Sequence, residues 1–275
     1  MSNIVTFGIM WIVASLLGEW GATAWINAAP HGTGTFWGSW SNLGVIGANA
    51  FDFLLWVAVP IFMFVVMFLI FAMVRFRVPK TETNPGDAKD QRRVNKAFIG
   101  IWIVASVLIN ILVWLHPNAS GLEQVFAAQR VTKTEHPLIV DVVARQWEWI
   151  FSYPQYGITQ AVNSAGQDVL YLPVNRPVKF ILQSYDPFHT YDATINVMHS
   201  FWIPGFGVKQ DVVPGETRTL VLTPTKITST QQDPMVRVQC AEVCGPGHPY
   251  MEANVHVVSS SAFAKWAKAE AAAGN

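Results

Sequence analysis

Residues 240–251 read Cys240-Ala241-Glu242-Val243-Cys244-Gly245-Pro246-Gly247-His248-Pro249-Tyr250-Met251 and hold the only two cysteines of the chain. Thiolate and thioether are soft ligands that favour copper, and imidazole suits copper as well. A mononuclear blue-copper site uses one Cys, two His and a long axial Met. Here a second Cys stands four residues after the first. Two thiolates facing one pocket can each bridge a pair of metal ions, an arrangement for sharing one electron between two metals. A disulfide between Cys240 and Cys244 is the competing reading for a chain outside the cytoplasm, but it leaves His248 and Met251 without a role. Gly245 and Gly247, around Pro246, let the loop fold back so that His248 can reach the metal. Another imidazole has to come from elsewhere. His199, in the apolar, strand-like run 196–205, is the candidate. His31, His116, His136, His189 and His256 have no comparable context and read as surface or packing residues.

Four separated segments give the chain a family resemblance. The first is Cys240-x-Glu242-x-Cys244-Gly245-x-x-His248-x-x-Met251; the second is His199-Ser200 followed by Pro204-x-x-Gly207-x-Lys209-x-Asp211-x-x-Pro214-Gly215. The third is Gln146-Trp147-x-Trp149 with Tyr153 behind it, and the fourth is Phe263-x-x-Trp266. On these residues the chain resembles subunit II of haem-copper cytochrome c oxidases, which carries a dinuclear copper centre, CuA. The resemblance implies Cys240 and Cys244 as bridging thiolates, and His199 and His248 as terminal ligands. It further implies Met251 as the weak axial group on one copper and the Glu242 carbonyl on the other. It gives the Glu242 side chain a second role, helping to hold Mg²⁺ at an interface with subunit I, with Asp211 near the same interface. Trp147 is implied as the point where the electron arrives from cytochrome c; strand packing is the competing role for Trp147, Trp149, Phe151 and Tyr153.

Composition agrees with a membrane-anchored module. Half the residues are hydrophobic, only 13% are charged, and the first basic side chain is Arg75. Such a bias points to lipid contact, and a net charge of zero gives no hint of nucleic acid. Phe53–Met73 and Ala97–Leu115 carry no charge and are long enough to cross a bilayer. Between them, residues 75–96 hold seven Lys or Arg against three acids, so the positive-inside rule makes that loop cytoplasmic. A further apolar run starts at Ile4 and continues past Glu19 to Ile26. It lacks the basic start of a signal peptide and is read as a retained extra helix, with an uncleaved signal as the alternative.

From about Pro117 the pattern changes to short apolar segments broken by Pro and Gly. Residues 138–144, 178–183, 217–222, 236–240 and 253–258 read as strands, and such spacing points to a β-sandwich. The expected organisation is therefore a hydrophobic helix at 1–29 and an external loop at 30–50. A transmembrane hairpin at 51–116, an outer β domain at 117–258 and a helical tail at 259–275 follow. The resemblance makes the outer domain an all-β cupredoxin-like Greek-key sandwich carried by N-terminal transmembrane helices.

The expected function is uptake of single electrons outside an energy-transducing membrane and their delivery to haem in subunit I, where oxygen is reduced. The donor is cytochrome c or a similar protein. Residues from Asn118 onward carry thirteen acids and eleven bases, too small an excess to form the acidic dock that steers a basic partner. Ile99, Ile103 and Ser106 stand where the family commonly has the Glu, Thr and Pro of its proton-uptake helix. There is no Cys-x-x-Cys-His, so no c-type haem is attached. The alternatives are the CuA subunit of a nitric oxide reductase and a membrane-anchored copper-delivery protein, which would bind one Cu(I) through Cys and Met without a bridged pair.

Overall fold

The structure, a computed structural model, describes residues 3–28, 40–77, 96–116, 121–130, 136–185 and 196–274. It divides into two compact units, Met1–Ala28 with Ala50–Gly121, and Ala29–Asn49 with Leu122–Asn275. Most of the basic loop and of the external loop, with His31 and His189, falls outside the described residues.

The first unit is helical. Helices α1 (Asn3–Asn27), α2 (Asn42–Arg75) and α3 (Lys96–Leu115) are each long and apolar enough to cross a membrane. α1 packs against α2: Phe7 meets Phe64 edge-on at 5.4 Å, and the Trp11 indole donates to the Pro60 carbonyl at 2.8 Å. Gly18 permits this approach, since a Cβ there would stand 2.9 Å from Val59. Pro60 lies inside a continuous helix, as membrane helices tolerate. α3 buries none of its side chains against the rest of the chain.

α2 begins eleven residues before the apolar run read from Phe53, so residues 42–50, expected in the external loop, are helical. Ser41 explains the early start: its hydroxyl accepts from the Gly44 amide at 3.0 Å, an N-cap. Ser41 also donates to the Phe206 carbonyl, while Asn42 exchanges two hydrogen bonds with Thr223. Leu43 is fully buried in the core of the second unit.

The second unit is a β-sandwich. One sheet runs in the order β2 (Glu148–Ser152), β1 (Leu138–Arg145), β4 (Val178–Ser184), β7 (Arg218–Leu222). The other runs β3 (Val169–Pro173), β10 (Glu252–Val258), β9 (Arg237–Cys240), β5 (His199–Ile203), β6 (Val208–Val212), with β8 (Thr228–Ser229) on β10. Most neighbours are antiparallel, but β1 with β4 and β3 with β10 are parallel. This is the cupredoxin-like sandwich expected from the resemblance. Alternation carries it: Leu138, Val140, Val142 and Ala144 of β1 face inward, opposite Val178, Phe180 and Leu182 of β4, all buried. Each of the Val, Leu and Phe side chains among them contributes about 1.5–3 kcal/mol on burial. α4 (Gly121–Ala128) precedes the sandwich. α5 (Ser260–Ala272) follows it and packs Phe263 and Trp266 on Tyr153 and Tyr171. Tyr153 holds the spot from within, its hydroxyl bonded to both the carbonyl and the amide of Tyr171.

Candidate metal centre

The 240–251 loop joins two neighbouring antiparallel strands, β9 and β10, and their register brings its ends together. Glu252 pairs with Gln239, and the Cys240 amide donates to the Met251 carbonyl at 3.1 Å. β5 lies on the other side of β9 with Phe201 opposite Cys240, so His199 starts its strand close to the cysteine. The loop is tied to β5 as well, through the Ala241 amide and the Ser200 carbonyl at 2.9 Å. Gly245 turns the chain at φ 113°, a left-handed conformation that side chains other than glycine rarely adopt.

Inside this loop the donor atoms form two sets. The Cys240 sulfur lies 3.7 Å from Nδ1 of His199 and 3.1 Å from the Glu242 carbonyl. The Cys244 sulfur lies 3.6 Å from Nδ1 of His248 and 3.8 Å from the Met251 sulfur. Ligand atoms of His199, Cys240 and Cys244 all stand within 4.8 Å of one another, and both thiols are free of any disulfide. His199, Cys244 and Met251 are buried, Cys240 nearly so, and His248 and Glu242 are half-buried. Each of the two sets therefore has one thiol, one imidazole and one weaker donor, sulfur in one case and a carbonyl in the other.

Electrostatics prepare the site for a cation. Burial, and then the charge of nearby His248, push His199 down to about 4, leaving its ring neutral with a lone pair available. Burial, and then the adjacent Cys240, push the Cys244 thiol up to about 12. Two thiolates side by side in this apolar setting repel one another unless positive charge sits between them, so metal binding would release their protons. Two thiolates, two imidazoles, a thioether and a carbonyl make a soft donor set that fits copper.

Supporting contacts hold the site in shape. The Trp149 indole donates to the Met251 carbonyl at 3.2 Å, and its ring meets His199 edge-on. Ser200, next to His199, donates to Asp211 at 2.8 Å. An open cleft of about 670 Å³ beside Cys240 is lined by Trp202, Lys209, Glu242, Val243 and His248. Of the remaining histidines, His256 stacks on Tyr171 and His116 on Phe53, in packing roles.

Trp147 stands apart from the other aromatics of its stretch. Trp149, Phe151 and Tyr153 are buried, whereas Trp147 sits in the turn between β1 and β2 and is 41% exposed. Its ring lies flat on Gly247, and its Nε1 donates to the Cys244 carbonyl at 3.0 Å. Gln146, quoted above with Trp147 but given no role there, donates to the same carbonyl at 2.7 Å.

Residues 138–258 match the family described as cytochrome c oxidase subunit II, periplasmic domain. Among curated relatives, cytochrome c oxidase subunit 2 of Synechocystis sp. is 35% identical over 138 residues, covering 50% of this chain and 35% of its own. That of Bacillus subtilis is 29% identical over 201 residues, covering 72% and 51%. The chain thus spans between about a third and a half of the length of these two relatives. Among solved structures, the periplasmic domain of cytochrome oxidase subunit II of Bradyrhizobium japonicum is 25% identical, with a TM-score of 0.38, covering 48% of this chain and 92% of that one.

Proposed function

We propose that this chain, whose residues 138–258 match the cytochrome c oxidase subunit II periplasmic domain, is the electron-input subunit of a membrane-bound haem-copper oxidase. In this reading the sandwich stands on the outer side of the membrane, anchored by α1, α2 and α3. Cys240, Cys244, His199 and His248 would hold a pair of coppers there, with the Met251 thioether and the Glu242 carbonyl as weaker donors. A copper pair held there supplies a one-electron site whose charge change is spread over two ions. The observation that carries the proposal is the twofold donor arrangement, each free thiol facing its own imidazole. A copper-delivery protein would need one Cu(I) site and no second Cys–His set.

The chain's own residues have separable tasks. Burial keeps the His199 ring neutral and its nitrogen able to bind metal. Trp149 and the β9–β10 register fix Met251, so the donor positions change little when charge arrives. Trp147 reaches from the surface to the backbone of Cys244, a short route inward for an electron from cytochrome c or a similar donor. Glu242 borders the open cleft, where it would help hold Mg²⁺ against the haem-bearing subunit I. Delivery of the electron to that haem, for oxygen reduction, completes the role.

The test is copper content and electron paramagnetic resonance of the full chain in detergent. Two coppers with one electron spread equally over both nuclei is the expected result. One copper, or an electron confined to a single nucleus, would overturn the bridged pair and favour copper delivery.

A further inference from the structure

α1 carries a carboxylate at a depth where lipid offers it no partner. Asn3, at the start of α1, accepts from Nε of Arg75, at the end of α2, at 3.2 Å. Farther along, Gly18 of α1 meets Val59 of α2. The two helices therefore run antiparallel, and Glu19 lies about 24 Å along α1 from Asn3. Val59 is six residues into the charge-free run that starts at Phe53, which puts Glu19 about 9 Å inside the end of that run. With the basic loop 75–96 on the cytoplasmic side, Glu19 stands in the outer third of the bilayer.

Two polar atoms are orphaned at this depth. Oε1 of Glu19 and Oγ of Ser15, one turn before it, are buried yet have no hydrogen-bond partner. Glu19 as a whole is only partly buried, so its carboxylate sits at the rim of the α1–α2 seam. Gly8, Ile12, Ser15 and Glu19 follow one another at i, i+4, i+7 and i+11, the spacing of a single helix face. That face is open toward its start: Ile12 is 55% exposed, and a Cβ on Gly8 would meet nothing within 4 Å. Small residues that admit a close backbone, with polar side chains among them, are what membrane helices use to pack on one another.

The helical unit has no cation of its own for Glu19. Among its described residues the only Lys and Arg are Arg75, Arg77 and Lys96, all at the cytoplasmic ends of α2 and α3. His116, at the outer end of α3, is stacked on Phe53, and Asn110 of α3 gives its amide to the Ser106 carbonyl. A second copy of the chain would bring another acid to the same place. Ionisable side chains inside a bilayer are retained where they pair with another group.

We infer that the Gly8–Ile12–Ser15–Glu19 face of α1 receives a transmembrane helix of another subunit, and that this helix brings a basic side chain to Glu19. This rests on the reading of α1–α3 as membrane spans and is independent of the copper pair. Arginine suits the place best, because its planar fork presents parallel donors that serve the carboxylate and the Ser15 hydroxyl together. Gly8 lets the two backbones come close one helical stretch nearer the cytoplasm.

The probe is a single-span Leu/Ala peptide with one Arg about 9 Å from its outer end, compared with the same peptide bearing Leu there. Association with the full chain in liposomes is read by energy transfer from a dye on the chain's N-terminus to a dye on the peptide. The Arg peptide should associate about tenfold more tightly than the Leu peptide, and Ser15→Leu should weaken it by about threefold. Glu19→Gln should remove the preference, and Glu19→Lys should transfer it to a peptide with Glu in place of Arg. Circular dichroism checks that each variant keeps its helices. Equal binding of the Arg and Leu peptides, or a preference that survives Glu19→Gln, overturns the inference. Glu19-dependent energy transfer between two differently labelled copies of the chain overturns it as well. Protease digestion of sealed liposomes tests the reading beneath it: cleavage of loop 75–96 from the same side as the β domain would sink the transmembrane assignment. Cleavage from opposite sides with no charge preference would sink the docking inference alone.

Discussion

Replacing Gly247 with alanine tests whether Trp147 is held against the metal loop by shape. A Cβ on Gly247 would stand 2.5 Å from Cγ and 2.6 Å from Cε3 of Trp147, with Cδ2 closer still, and ordinary contact begins near 3.4 Å. The indole must therefore retreat by about 1 Å, since an overpacked side chain relieves its clash by shifting neighbours, at a cost of about 1–3 kcal/mol. Withdrawal also breaks the 3.0 Å bond from Nε1 to the Cys244 carbonyl, leaving Gln146 as the partner. For a domain of this size the melting temperature should fall by about 3–10 °C. The assay is a thermal melt of the copper-free chain by tryptophan fluorescence, repeated in a Trp147→Ala background. With the ring gone the clash is gone, so there the Gly247→Ala penalty should shrink to within about 0.5 kcal/mol of zero. In the copper-loaded chain, electron uptake from a protein donor should slow by about tenfold or more, because misplacement of about 1 Å is costly in reactive geometries. An equal Gly247→Ala penalty in both backgrounds would refute the argument, for the strain would then lie in the loop backbone.

Other perturbations separate the remaining parts of the chain. Cys244→Ser should abolish two-copper loading, whereas Met251→Leu, close in volume, should keep both coppers and shift the reduction potential; metal analysis and potentiometry read the difference. Burial holds His256, stacked on Tyr171, below the usual imidazole pKa. The unfolded chain therefore takes up that proton more readily, so copper-free stability should be full above about pH 6.5 and decline as pH falls through the lowered folded value. Denaturant melts across pH should show this slope flattened in His256→Gln. Phe263→Ala removes a buried ring packed on Tyr153, Tyr156 and Trp266. It should cost about 3–5 kcal/mol, read as a lower melting temperature of the copper-free chain.

Much of this molecule is legible in one dimension because its patterns are local. Alternation at 138–144, 178–183 and 253–258 marks strands that each bury one face, and the structure extends each by one residue. The apolar run from Phe53 is unambiguous, but the start of α2 at Asn42 is not. Gly44 and Gly47 look like loop, and the helix exists there because Ser41 caps it while the carbonyls of Phe206, in the turn between β5 and β6, and Thr223, just after β7, accept from Ser41 and Asn42. The short strands β3 and β6 are not marked by the pattern either. Five residues without a clear alternation reveal a strand only through the partners they pair with.

The donor set divides in the same way. Cys240, Glu242, Cys244, His248 and Met251 are visible together because a single loop carries them, and thiolate, imidazole and thioether at that spacing specify a soft metal. His199 lies forty-one residues before Cys240 in the chain. Only the pairing of β5 with β9 brings its nitrogen to the sulfur. Four aromatics, Trp147, Trp149, Phe151 and Tyr153, share one parity along the chain and look alike as letters. Tertiary structure decides among them: β2 begins only after Trp147, so that ring escapes the core and lies on Gly247, while the other three are buried by the opposing sheet and α5. Chemistry of ligands is a property of residue type and can be read from sequence. Which equivalent side chain is buried and which faces a partner depends on where a strand stops and what covers it, and that is settled only by contacts between distant segments.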